Sequence, residues 1–362
     1  MPKGWSGWLG VAAVAAGALA PLVLSAYDLS LVGRFLALSI LGMGLVLVWG
    51  RGGALSLGHG VFFALGAYAL AMHLKLAAEP LPDFMQWNGV ETLPWWWRPF
   101  SSPLFALLMV PAAPALAAAA LGWLVFRRRV AGVYFALITQ ATALAFSTLL
   151  VSQQGLTGGF NGLTNFQRAF GWALAAPQTQ TALYYLTLAL VAGSYLLLRR
   201  LEATWFGRVL LASRSRDSRL RFLGYSVEAY QTAAFALSGG LAGVSGALFT
   251  LHAGVISPAM VGVAPSIEMV VWVALGGRES LAGAVAGTLL GNMAKDRLSS
   301  AFPDLWLLAL GGVFLLVTAV LPEGLAGLVG KLRGRGERLP AGDGGIPVAA
   351  SSDSGDGSET LA

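Results

Sequence analysis

Leu186-Thr187-Leu188-Ala189-Leu190-Val191-Ala192-Gly193-Ser194-Tyr195-Leu196-Leu197-Leu198-Arg199-Arg200 is an apolar run that stops dead on two arginines. Five more follow, Arg208, Arg214, Arg216, Arg219 and Arg221, before the chain turns apolar again beyond residue 230. A basic island between two membrane-length apolar runs stays on the cytoplasmic side of a bilayer. At residues 199–230 it is also long enough to hold a helix that a partner can grip.

Composition agrees. Of 362 residues 56% are hydrophobic and 11% charged, with mean hydropathy +0.70. Soluble domains carry roughly 25% charged residues, so the chain reads as all-α, a polytopic bundle of transmembrane helices. About 20 apolar residues span the hydrocarbon core. Stretches of that kind are 5–24, 31–49, 54–76, 104–126, 131–151, 181–198, 231–251 and 304–321. Another, 266–294, is interrupted at Gly276-Gly277-Arg278-Glu279-Ser280. The first run, after Lys3, reads either as a secretory signal or as a first uncleaved span. Leu22-Val23-Leu24-Ser25-Ala26 makes a poor cleavage site. With Lys3 inside, Arg51, Arg127–Arg129 and the 199–230 island are inside too, and the tryptophan-rich stretch 80–103 lies outside. The basic Lys331–Arg338 also belongs inside, which requires an even number of crossings after the island. The interrupted stretch is therefore a hairpin or a re-entrant pair, giving about 9–10 membrane segments. Gly52-Gly53-Ala54-Leu55-Ser56-Leu57 echoes Gly276–Leu281, as glycine-broken helices of repeated transporters do. Residues 1–328 form one transmembrane domain, and 329–362 a basic, then polar and disordered tail.

Most chemistry is excluded. There is no cysteine, and His59, His73 and His252 are too scattered for a zinc site, so no metal and no cofactor is expected. The formal charge of +6 sits at span ends and needs no nucleic acid to explain it. Gly243-Val244-Ser245-Gly246 has the form of a membrane serine-protease nucleophile, which needs a histidine on another helix, but the only histidine downstream, His252, ends the same helix. Close helix packing by small residues explains it better. No phosphate-binding Gly-x-x-x-x-Gly-Lys motif occurs. Glu268 is the one carboxylate well inside an apolar stretch, too little for a proton relay. It suits a bond to a solute, a pairing with Arg278 or a helix cap. Candidate pathway groups are Ser56, His59, Thr139, Gln140, Thr157, Asn161 and Glu268. Amides and hydroxyls exchange hydrogen bonds with a neutral amide solute without desolvating a charge. Turn chemistry around Asn161 and helix packing by His59 are the alternatives.

Arg51-Gly52-Gly53-Ala54-Leu55-Ser56-Leu57-Gly58-His59-Gly60 and the residues to Tyr68 resemble ABC permeases of the branched-chain amino-acid class. Gly158-Gly159-Phe160-Asn161-Gly162-Leu163-Thr164 is similar to an outer loop of that family. Leu81–Trp87, Gly132–Gln140, Arg221–Tyr225, Ile256–Met260 and Pro265–Arg278 resemble, within it, permeases of urea importers of the larger, LivM-like type. The resemblance runs from about residue 30 to about 328. It implies a multi-pass subunit of the bacterial cytoplasmic (inner) membrane. It also implies a second, homologous permease subunit forming a heterodimer, two ABC ATPase subunits and a solute-binding protein. The island becomes the ATPase-coupling helix, with Arg214, Arg216, Asp217, Arg219, Arg221 and Gly224. Gly224 stands without the Glu-Ala-Ala that often precedes this glycine in the wider class. Urea is the implied solute. A branched-chain amino-acid permease and a passive channel for small neutral amides are the rival readings.

Overall fold

The computed structural model describes residues 17–130 and 132–303, with residues 305, 308, 311, 312, 315 and 324–327, and for 215–218 the backbone alone. The fold is the expected all-α bundle. Helix α1 is Ala26–Leu45, continued by a π-helical turn over Val46–Arg51. Then come α2 (His59–Ala78), α3 (Pro103–Arg127), α4 (Val133–Ser152), α5 (Pro177–Ala203), α6 (Trp205–Phe222), α7 (Val227–Ala253), α8 (Val263–Gly276) and α9 (Leu281–Ala301). Among the described residues seven helices are long and apolar enough to cross a membrane: all of these except α6 and α9. The expected spans 5–24 and 304–321 fall largely outside the described residues, as does the tail 329–362.

Buried α7 is the axis, packed on α1, α2 and α3, while α3, α4 and α5 expose most of their length. An exposed apolar helix is stable when lipid, not water, surrounds it, so this pattern fits a bilayer. Small residues decide how close α7 comes. A Cβ on Gly243 would overlap the Val110 carbonyl and the Pro114 ring of α3; one on Gly246 would overlap the Phe63 carbonyl of α2. Ser245 is fully buried beside them. Gly243-Val244-Ser245-Gly246 is thus a packing seam, the arrangement that lets membrane helices touch backbone to backbone.

The interruption at Gly276–Ser280 is a hairpin turn. Helices α8 and α9 lie side by side, and Gly283 and Gly287 of α9 meet Gly276 of α8. Gly277 takes φ +116, a conformation that side chains resist, and Ser280 caps α9 by accepting from the Gly283 amide at 3.0 Å. The sequence echo at Gly52-Gly53 is the same device. Gly53 has φ +74 at the turn between α1 and α2. The two turns meet at one end of the bundle, where Gly50 lies against the Arg278 carbonyl. Helix α6 sits at that end: Arg214 donates to the Gly50 carbonyl at 3.0 Å and pairs with Glu279 at 2.6 Å. Arg51, Arg199, Arg208 and Arg214 gather at this end, the one the charge distribution of the sequence expects to be cytoplasmic. The opposite end carries two short pairings, β1 (Leu163–Thr164) with β4 (Val255–Ile256), and β2 (Arg168–Ala169) with β3 (Trp172–Ala173). Trp95 there is exposed as expected of an interfacial indole, but Trp97 is buried against Phe84 and Trp96.

Candidate functional site

A cavity of about 320 Å³ opens among α1, α8 and α9, with Phe63 of α2 and Phe249 of α7 at its back. One face of α9 supplies its polar wall: Thr288, Asn292, Lys295, Asp296 and Ser299. Their spacing of four, three, one and three residues follows the 3.6-residue repeat, so they form a stripe. At 1.5 Å per residue the stripe runs about 16 Å, roughly half the hydrocarbon thickness. The other side of α9 is Gly283, Gly287 and Gly291, which receive Gly276 and the Trp272 ring of α8. The glycines seat the first half of α9 tightly on α8, and beyond Gly291 the polar side chains open onto the cavity between the two helices.

Glu268 of α8 faces the stripe. It is 6% exposed, and the Lys295 ammonium donates to its Oε2 at 2.6 Å. Arg34 of α1 and Asp296 complete the charged lining. Two cationic and two acidic side chains therefore balance to zero. Two polar atoms here are buried without a hydrogen-bond partner among the described residues, the Thr288 hydroxyl and Arg34 Nε. Buried polar groups are normally bonded, so these two are the unsatisfied polar atoms of the cavity wall. Leu38, Met269 and Trp272 line the rest.

Of the pathway residues read from the sequence, only Glu268 lines this cavity. Its expected pairing with Arg278 is replaced by Lys295; the Arg278 guanidinium lies 5.8 Å from the centre of the Trp49 ring instead. Ser56, His59 and Thr139 come together elsewhere, around the turn before α2. Thr139 Oγ1 accepts from the Leu57 amide at 3.0 Å and donates to the Ala136 carbonyl at 2.9 Å. The Ser56 hydroxyl accepts from the Gly58 amide at 3.4 Å. His59 Nε2 and the Ser238 hydroxyl are 2.8 Å apart, with Phe62 and Phe235 edge-on to the ring. Thr139 ties α4 to the turn before α2 and His59 ties α2 to α7, while Ser56 closes a bond within that turn. Gln140 is half-buried on α4. At the far end, Thr157 donates to the carbonyls of Leu150 and Gln153, and Asn161 is exposed.

Sequence reading missed Lys295, Asn292, Thr288, Asp296, Ser299 and Arg34. The signal was available in the period of the polar residues after 288. Thr288 and Asn292 lie inside the interrupted apolar stretch 266–294 and Lys295, Asp296 and Ser299 just past it, so apolar length alone does not join them.

The basic island divides. Arg214 and Arg221 are engaged within the chain, Arg214 as above and Arg221 with Glu228. Arg219 is exposed, and Gly224, at φ +83, makes the turn after α6. Arg216 and Asp217 lie on α6 with side chains outside the described residues. Phe222 is 91% exposed and Leu223 73% at the tip of α6.

Comparison with known proteins supplies the family. Residues 28–318 match the model of the branched-chain amino acid transport system / permease component family. Over 311 residues the chain is 29% identical to the high-affinity branched-chain amino acid transport system permease protein LivM of Escherichia coli (strain K12). That alignment covers 79% of this chain and 67% of the relative. The protein of the same name from Salmonella typhimurium (strain LT2) matches at the same identity and coverage. No solved structure matches. The chain is a multi-pass membrane protein that belongs to the branched-chain amino-acid transport permease family.

Proposed function

We propose that this chain is a membrane subunit of an ATP-driven importer of the bacterial inner membrane, and that its solute is urea. The observation that carries the solute is the charge-balanced polar stripe of α9 facing Glu268. A cavity with no net charge offers an ion no advantage. Urea bears one carbonyl acceptor and two donor amino groups. Lys295 and Asn292 donate to the first, and the Glu268 carboxylate and Asn292 amide oxygen accept from the second. The motifs resembling urea-importer permeases, Pro265–Arg278 above all, point the same way.

A second reading, a branched-chain amino acid, is favoured by the apolar wall of Leu38, Met269 and Trp272 and by the names of the LivM relatives. There Glu268 would take the ammonium and Lys295 the carboxylate of a zwitterion. Parallel uptake of labelled urea and labelled leucine separates the two: the urea reading expects ATP-dependent urea entry that excess leucine leaves intact, the amino-acid reading ATP-dependent leucine entry with no urea entry.

In this account residues 1–328 are the permease domain and 329–362 a cytoplasmic tail. The chain pairs with a second, homologous permease, two ABC ATPase subunits dock below, and a solute-binding protein delivers from above. Helix α6, within 199–230, is the coupling helix. Its free surface is the Arg219, Phe222 and Leu223 end, since Arg214 ties it inward. Replacing Arg216, Arg219 and Arg221 together by Ala is expected to weaken ATPase association at least about tenfold, about 1.4 kcal/mol, with membrane insertion intact. Co-purification of the ATPase with the tagged variant checks this. Undiminished association would leave the island a topology signal only.

A further inference from the structure

A second cavity, of about 300 Å³, lies at the elbow where α5 passes into α6 and is lined by Arg51, Arg199, Glu202, Gly207, Arg208 and Leu211. Three guanidinium groups against one carboxylate leave it a net +2. Arg51 is committed to Glu202 through hydrogen bonds of 3.0 and 3.2 Å. Arg199 and Arg208 have no carboxylate partner among the described residues. Arg208 lies over the Trp205 ring, 5.0 Å from its centre, which restricts its plane and leaves its edge N–H groups for a ligand.

The backbone adds to this. Thr204 turns its hydroxyl back to the Leu201 carbonyl at 2.6 Å and does not cap α6. Gly207, in the first turn of α6, packs against the Glu202 and Leu201 carbonyls at a distance no side chain permits, which keeps the floor of the cavity open. The elbow also sits at the end of the bundle where the basic residues gather, with the half-exposed Trp205 beside it. Indole rings of this kind settle at headgroup depth.

We propose that this elbow binds a phosphate-bearing anion, the headgroup of an anionic phospholipid of the cytoplasmic leaflet. Guanidinium groups match phosphate oxygens in pairs. The anionic leaflet concentrates that ligand at basic pockets between helix ends. The site is distinct from the exposed Phe222 tip, 15 residues away or about 22 Å along α6. A lipid held there braces the α5–α6 elbow against the end of α1.

Native mass spectrometry of the purified full chain tests the site, with phosphatidylglycerol, phosphatidylcholine and inorganic phosphate as probes. Wild type is expected to retain phosphatidylglycerol over phosphatidylcholine, and Arg199→Ala with Arg208→Ala to lose roughly fivefold for each arginine. Glu202→Gln removes the one carboxylate and releases Arg51, so it is expected to raise retention, a gain that a misfolded variant would not show. Arginine-dependent stabilisation by inorganic phosphate, with no preference between the two lipids, would support the anion site and assign it to a free anion. Retention of every probe unchanged in the double-Ala variant overturns the proposal.

Discussion

Lys295→Met is expected to abolish uptake and to lower the stability of the folded chain by about 1–3 kcal/mol, less than for a fully buried pair because the lysine side chain is one-third exposed. Glu268 is almost wholly buried, and the Lys295 ammonium at 2.6 Å is its cationic partner. Adding Glu268→Gln to the lysine variant removes the stranded charge. Most of the stability should return, because a neutral pair of similar size costs little to bury. Uptake should not return, because the donor facing the solute is still missing. Denaturant titration in detergent gives the first quantity and vesicle uptake the second. A Lys295→Met protein as stable as wild type would show the pair to be ornamental. Glu268→Gln by itself keeps an acceptor and a similar shape. Its transport should persist, remain ATP-dependent and ignore an imposed pH gradient, since one carboxylate paired to a lysine is no proton relay.

Gly66→Leu should do still more damage to folding. A Cβ at position 66 of α2 would overlap the backbone of Gly243 on α7. Relief requires moving a helix rather than a rotamer. Gly243 in turn is pressed against Pro114 of α3, so α7 has no room to retreat. Overpacking into backbone of this kind costs about 3 kcal/mol or more. The expected outcome is a variant that inserts but is degraded or aggregates on extraction. Size-exclusion chromatography after solubilisation checks it. The same substitution at Gly193 on exposed α5, where a Cβ meets nothing, should be silent. A monodisperse Gly66→Leu protein would mean that the α2–α7 contact is looser than the glycines imply.

The architecture was legible because lipid makes hydropathy and charge placement speak directly. Apolar length fixed α1 to α5 and α7, and arginine placement fixed which end α6 occupies. The break at Gly276–Ser280 was marked by its glycines; a hairpin and a re-entrant pair both suited it, and the structure has the hairpin turn. The α9 stripe was not legible by those means. A helix with Asn292, Lys295, Asp296 and Arg297 is not marked by its hydropathy, and only its period shows that part of the polarity faces a cavity. The cluster of Ser56, His59 and Thr139 has two readings from sequence. Buried polar side chains in apolar spans suggest a pathway, but here Thr139 and His59 bond to neighbouring elements and Ser56 to its own turn. Hydroxyls and ring nitrogens serve packing and passage equally well, and which they do depends on neighbours brought in from far along the chain: Ser238 lies 179 residues from His59.

The central claim is that ATP in a partner subunit drives a small neutral amide past Glu268 and Lys295. It is tested most directly by reconstituting this chain with its second permease, ATPase subunits and binding protein in proteoliposomes and following radiolabelled urea. The predicted result is uptake that requires ATP, survives excess leucine, ignores a pH gradient and disappears in Lys295→Met. Urea entry without ATP, or ATP-driven entry of leucine with none of urea, would contradict it.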